Sequence, residues 1–217
     1  MRVRALAVAA TLAVLVGLVV VYFIYFLESG PAAIAASEGA DGTAHLTLQT
    51  VPTYGHHPFP DWVSYLAKDP AGKWEHTTIF KVPAHTLITV TVYQYDGASG
   101  LRNNFLSGVS GTTGNVEVIN GTPEHGINPD NAAHTFTIPD IDVNVPLPGV
   151  NPNAKNQCSV APCTLAEAHN TITFSFRSPG PGSYRWQCFV PCGAGTLFGN
   201  GGPMQTIGYM SGLVEVS

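Results

Sequence analysis

Tyr184-Arg185-Trp186-Gln187-Cys188-Phe189-Val190-Pro191-Cys192-Gly193 is followed, after a Gly-rich stretch, by Gly208-Tyr209-Met210-Ser211-Gly212-Leu213-Val214-Glu215-Val216. Ser183 to Cys188 alternates, with Tyr184, Trp186 and Cys188 on one side, and Leu213 to Val216 reads as the last strand. A C-x3-C pair therefore sits between two strands. Well upstream stands His134, in Ala133-His134-Thr135-Phe136-Thr137-Ile138-Pro139. A distant imidazole, two thiols and a closing thioether make up the soft donor set that selects copper.

The same alternation extends outward along the chain. Thr77 to Tyr95 is the clearest strand segment: Ile88, Val90 and Val92 share one face, Thr89, Thr91 and Tyr93 the other, and Pro83 interrupts it near its start. His45 to Thr50 reads as a first strand with Leu46 and Leu48 on one face. Asn115 to Ile119, His134 to Ile138, and Thr171 to Arg177 read as further strands, the last presenting Ile172, Phe174 and Phe176 inward. Val51 to Trp74 has Pro, Gly, His and aromatic residues without a period. It reads as a long loop with a short helix near Trp62 to Lys68. About seven short strands with long irregular connections indicate an all-β sandwich or Greek-key barrel.

The chain has 217 residues, a net charge of −5 and 11% charged residues. No basic patch meets phosphates, so a nucleic-acid partner is excluded. Ala5 to Leu27 carries no charge; at helical rise it spans roughly 35 Å, against about 30 Å for a hydrocarbon core. Arg2 and Arg4 precede it, which places the N-terminus in the cytoplasm and the rest outside. The expected organisation is a single-pass membrane anchor over 1–27, a linker over 28–42 and one extracytoplasmic domain over 43–217. A cleaved signal peptide, with Ala33-Ile34-Ala35 as its site, is the competing reading. The 4 cysteines all lie beyond the apolar run. Cys158 and Cys163, close together in a Pro- and Asn-rich loop, are expected to form a local disulfide outside the cytoplasm.

His134-Thr135-Phe136-Thr137-Ile138-Pro139, then Asp142-Val143-Asn144-Val145-Pro146-Leu147-Pro148-Gly149, resembles the first copper-ligand strand of cytochrome c oxidase subunit II. Phe176-Arg177-Ser178-Pro179-Gly180 with Tyr184 and Cys188-x3-Cys192-Gly193 resembles the same family's R-P-G-x-Y and C-x3-C-G segment, and Met210-x-Gly212-x-Val214-x-Val216 its closing methionine and strand. The likeness covers roughly Lys81 to Ser217, with large insertions, and a single N-terminal anchor is similar to the shorter forms of that subunit. It implies a cupredoxin-like Greek-key β-sandwich with one N-terminal transmembrane helix, carrying copper and passing electrons to a respiratory-chain redox partner. By the resemblance His134 is the first histidine ligand, Cys188 and Cys192 the bridging pair, Val190 the backbone carbonyl and Met210 the weak thioether.

The family's second histidine is missing: Thr196 and Ile207 occupy the positions where spacing from Cys192 and from Met210 would place it. A mononuclear copper site is therefore expected over the dinuclear one, unless His125, His56 or His57 substitutes from a loop. Phe136, Trp186, Phe189 and Leu213 are expected to form an apolar shell around it. The expected role is electron transfer, with no general acid, base or nucleophile. Two other readings stand beside it. One is copper delivery or thiol–disulfide exchange, sharing the ligand logic of Sco-type copper chaperones without their βαβ pattern. The other is a metal-free structural or interaction module in which Cys188 and Cys192 are joined as a disulfide. Asn120-Gly121-Thr122 formally matches a glycosylation sequon.

Overall fold

The computed structural model describes residues 2–23, 31–39, 42–55, 60–193 and 197–217. Two compact units result, Met1–Pro31 and Ala32–Ser217. The first contains α1, Arg2–Tyr22. Among the described residues no helix is long and apolar enough to cross a membrane. Residues 24–27 of the expected anchor, with His56, His57 and Thr196, lie outside the described residues.

The second unit is a sandwich of two sheets. In chain order its strands are β1 (Ile34–Ala35), β2 (Ser37–Glu38), β3 (Ala44–Tyr54), β4 (Trp62–Lys68), β5 (Trp74–Glu75), β6 (Ile79–Val82) and β7 (Leu87–Gln94). There follow β8 (Glu117–Ile119), β9 (Thr122–Glu124), β10 (Ala132–Ile138), β11 (Val143–Pro148), β12 (Asn170–Arg177), β13 (Gly182–Gln187) and β14 (Ser211–Val216). One sheet runs β1-β6-β14-β13-β10-β11; the other runs β5-β4-β3-β7-β12-β8-β9, with β2 beside β3. Three pairings are parallel, β1 with β6, β6 with β14, and β3 with β7. The stretch read as linker thus already contributes β1 and β2.

Alternation explains the inner faces. Ile88, Val90 and Val92 lie opposite Phe176, Phe174 and Ile172 in the antiparallel β7–β12 pair, and all six are buried. Leu46 and Leu48 extend that layer from β3. From the facing sheet come Phe80, Phe136, Ile138, Val145, Trp186 and Val214. Trp186 lies flat between Phe80 and Phe136, with ring centroids 5.5 and 5.0 Å away, and meets Tyr65 edge-on at 4.8 Å. Its indole N–H donates to the Thr78 carbonyl at 2.9 Å. Gly212 pairs with Trp186 on β14, and a Cβ there would run into that same carbonyl.

One expectation is corrected, and one strand is added that the sequence reading did not assign. Trp62–Lys68 is the strand β4 and not a short helix. Val63, Tyr65 and Ala67 face the main core, while Leu66 faces a second apolar cluster with Val51, Tyr95 and Cys163. With both faces covered, the apolar–polar alternation that marks a strand disappears. Val143–Pro148, quoted above only for its resemblance, is the edge strand β11, where Pro146 and Pro148 are tolerated because an edge leaves one row of donors unpaired. The loop between β7 and β8 folds over the outer face of β10. Asn144 Nδ2 donates to the Gly108 carbonyl at 2.7 Å, and Thr137 Oγ1 donates to Asn144 Oδ1 at 2.7 Å.

Trp186→Ala should cost about 3–5 kcal/mol in urea unfolding, because a fully enclosed indole leaves a cavity. Leu165→Ala, at a side chain 62% exposed, should stay within about 0.5 kcal/mol. Equal effects of the two would contradict the packing described.

Candidate metal centre

His134 leaves β10 toward the interior, and Cys188 follows directly on β13. The two strands are hydrogen-bonded neighbours in antiparallel register through Thr137 and Gln187. Trp186 and Cys188 share a face of their strand, as do Phe136 and His134 of theirs. The Trp186–Phe136 stack therefore repeats, two residues on, as the meeting of Cys188 with His134. His134 Nδ1 lies 3.8 Å from Cys188 Sγ, and Cys192 Sγ lies 3.8 Å from the same sulfur. The three donor atoms fall within 4.8 Å of one another. His134 is 1% exposed and Cys188 0%, while Cys192 is half-buried.

Backbone groups hold the cysteine loop. The Thr135 N–H points at Cys188 Sγ from 3.4 Å, and Thr135 Oγ1 accepts from the Phe189 N–H at 2.8 Å. The Cys188 N–H donates to the Met210 carbonyl at 2.9 Å. The Val190 carbonyl lies 3.5 Å from Cys188 Sγ. Tyr65 donates its hydroxyl to the Thr135 carbonyl at 3.1 Å, which ties the facing sheet to this corner. Of the expected shell, Phe136 and Trp186 are fully enclosed; Phe189 is half-buried and stacks on Phe105 at 5.9 Å, and Leu213 is half-buried.

Two residues join the site that the sequence pattern does not mark. Asp96, just past the end of β7, pairs with His134 Nε2 at 3.0 Å through Oδ2, while its Oδ1 accepts the Gly97 N–H at 2.7 Å. A carboxylate on the far ring nitrogen orients the imidazole and directs Nδ1 at the sulfurs. Met204 Sδ lies 3.1 Å from Cys192 Sγ and is 1% exposed, on a single 3-10 turn over Gly202–Met204. Met210 is buried in the same core cluster, and its carbonyl accepts the Cys188 N–H. Asp96 lies in a Gly-rich loop without periodicity, and Met204 follows a Gly-Gly-Pro turn, so neither carries a pattern. His125 is exposed and bonds the Asn115 carbonyl through Nδ1, away from the sulfurs.

Cys188 and Cys192 stand as two thiols and not as the disulfide that one reading required. Cys158 and Cys163 are joined, as expected. Imidazole, two thiols, a thioether and a carbonyl converging in a pocket walled on its inner side by aromatic rings fit a soft, copper-type ion better than a hard one. A cleft of about 400 Å³ opens above the site between Asp96, Ala98, His134, Pro191 and Cys192.

The electrostatics tie the donors together. Burial disfavours a charged His134, but the Asp96 carboxylate and the Cys188 sulfur outweigh it and raise its pKa to about 9. Burial likewise opposes ionisation of Cys188, yet hydrogen bonds from Cys192 and His134 and the imidazolium charge hold its thiol well below the usual range. Cys192 is pushed up by its hydrogen bond to Cys188 and by burial. In the metal-free protein the favoured charge state is therefore a His134 imidazolium beside a Cys188 thiolate.

His134 has its folded pKa above the ordinary value of 6.5, so its protonation stabilises the metal-free fold fully below about 6.5, and that contribution is lost as pH rises through about 9. Asp96→Asn should lower the His134 pKa, read by NMR titration of the ring. An unmoved His134 titration would contradict the role given to Asp96.

No protein-family model matches the chain, and no curated protein matches it. Among solved structures it is similar to the copper protein rusticyanin, at 15% identity over 85% of this chain and 82% of that one, TM-score 0.37. Rusticyanin from Thiobacillus ferrooxidans at higher resolution gives 16% identity over 85% and 82%, TM-score 0.37. A chain of a heme-copper terminal oxidase dimer is similar at 14% identity over 99% of this chain and 97% of that one, TM-score 0.35. Likenesses of this size are loose.

Proposed function

We propose that the Ala32–Ser217 unit is a cupredoxin-like domain that binds one copper ion and transfers electrons. The observation that carries this reading is the buried convergence of His134 Nδ1, Cys188 Sγ and Cys192 Sγ within 4.8 Å. His134, Cys188 and Cys192 would hold the ion, with Met204 or Met210 as the weak thioether and Val190 as the carbonyl. Copper bound there would supply one-electron chemistry between its two common oxidation states. The chain's own part is to keep the donors fixed and to limit the approach of water to the side of the cleft. β10 and β13 position the imidazole and the first thiol, Asp96 fixes the ring, and Phe136, Trp186 and Phe189 exclude water. One copper is favoured over two because, among the described residues, a single imidazole, that of His134, reaches the two sulfurs. The helix and the apolar residues after it would tether the domain to the cell membrane on the extracytoplasmic side, facing a respiratory-chain redox partner.

A second reading is copper delivery or thiol exchange. The observation favouring it is that Cys192 is half-buried and lines the cleft above the site. A donor or acceptor thiol has a way in. Rapid loss of bound copper to a competing thiol chelator would favour this reading; slow loss with reversible one-electron cycling would favour electron transfer.

Titration of the reduced, metal-free protein with Cu(II) should give one equivalent and an intense thiolate-to-copper absorption, lost in His134→Ala and Cys188→Ser. Two equivalents would overturn the mononuclear assignment, and no uptake would overturn copper binding. Met204→Leu should shift the charge-transfer band and the reduction potential. Met210→Leu should leave the band in place at a stability cost under about 1.5 kcal/mol, as for other Met–Leu core exchanges. The reverse pattern would return the thioether role to Met210.

A further inference from the structure

Thr135 and Thr137 of β10 and Asn144 of β11 are all buried. Polar side chains enclosed in this way are held by hydrogen bonds. Here the bonds form a relay that starts at the metal centre. The Phe189 N–H donates to Thr135 Oγ1 at 2.8 Å, Thr135 Oγ1 and Thr137 Oγ1 lie 2.9 Å apart, and Thr137 Oγ1 lies 2.7 Å from Asn144 Oδ1. Asn144 Nδ2 donates to the Gly108 carbonyl at 2.7 Å and to the Phe105 carbonyl at 3.3 Å, which fixes the amide with its oxygen toward Thr137. That oxygen only accepts, so it takes the one Thr137 hydroxyl proton, and the Thr135 hydroxyl donates in turn to Thr137 Oγ1. All the donors then point one way, and bonds in such a chain polarise and strengthen one another.

A second branch runs through the main chain. The Asn144 N–H donates to the Ser110 carbonyl at 3.0 Å, and the Ser110 N–H donates to the Asn144 carbonyl at 2.9 Å. Together with the Nδ2 bonds, this ties the 103–110 loop to β11. The loop carries Phe105, whose ring stacks on that of Phe189 at 5.9 Å with an interplanar angle of 26°. Phe189 is thus reached from Asn144 twice, at its N–H through two threonines and at its ring through the loop. It directly follows Cys188, and the peptide plane that joins the two residues contains the Phe189 N–H. Fixing that N–H fixes the backbone beside the first thiol.

We propose that Asn144 is a positioning residue of the metal centre, acting through Phe189 and not by contact with the donor atoms. One buried carboxamide sets both the peptide plane next to Cys188 and the aromatic stack next to it. The role toward the metal rests on the copper reading above, while the placing of Phe189 is a property of the fold itself.

Amide hydrogen exchange on the metal-free full chain reads the placing of Phe189. Thr137→Val keeps the shape of the side chain and removes its hydroxyl, whereas Thr137→Ser keeps the hydroxyl. Valine should speed exchange of the Phe189 N–H several-fold and serine should leave it slow. Asn144→Ala should also speed it, and adding Thr137→Val to that variant should add little, because both substitutions break one path. The Val90 N–H, in the β7–β12 ladder of the other sheet, should be accelerated less than that of Phe189. Equal acceleration at both amides would reduce the relay to general stability and overturn the proposal, as would an unmoved Phe189. In the copper-loaded protein Thr137→Val should shift the thiolate-to-copper band at unchanged stoichiometry, and Thr137→Ser should keep the original band. A band unmoved by valine would overturn the role toward the metal. If the unmodified chain takes up no copper, the copper reading falls and the exchange pattern alone decides whether Asn144 places Phe189.

Discussion

The stack of Trp186 between Phe80 and Phe136 is the contact from which the rest of the sandwich is measured. It joins three strands of one sheet, and through Tyr65 it reaches the other. The indole N–H closes on the Thr78 carbonyl, and Gly212 opposite leaves room for that closure. Flat rings tolerate little sliding, so the stack fixes the register of β13 against β10. A one-residue slip would turn Trp186 and Cys188 to the outer face together. Core packing and site geometry are in this sense one constraint: the residues that exclude water also decide which sulfur meets which nitrogen.

The second layer of control comes from the facing sheet. β7 ends by delivering Asp96 to His134, and β4 delivers the Tyr65 hydroxyl to the carbonyl next to it. The imidazole is therefore gripped from both sheets at the end of the sandwich where they meet. This arrangement separates the duties of the two layers. One supplies the donors; the other sets the orientation and charge of the ring.

Legibility in the sequence follows the solvent. β7 and β12 alternate in burial along most of their length, and their hydrophobic pattern is plain. β10 is legible from its apolar and threonine run although all seven of its residues are buried. β4 reads as loop and helix because covering both faces removes the polar half of its pattern, and β11 is hidden because two prolines mask an edge strand. The site divides in the same way. His134, Cys188 and Cys192 stand in strand context and can be placed together from it, whereas Asp96 and Met204 arrive on turns whose destination depends on the tertiary fold.

The ends of the two sheets share a property that bears on how this domain meets other molecules. β1 and β5 are two residues long, β9 is three residues long with Pro123 at its centre, and β11 carries Pro146 and Pro148. Short strands and missing N–H groups leave each border a poor template for an added strand. Strand-on-strand growth between copies is thus discouraged at all four borders, at both ends of each sheet. Recognition is left to side chains on the faces and loops, where contacts can be made and released without exchanging backbone hydrogen bonds.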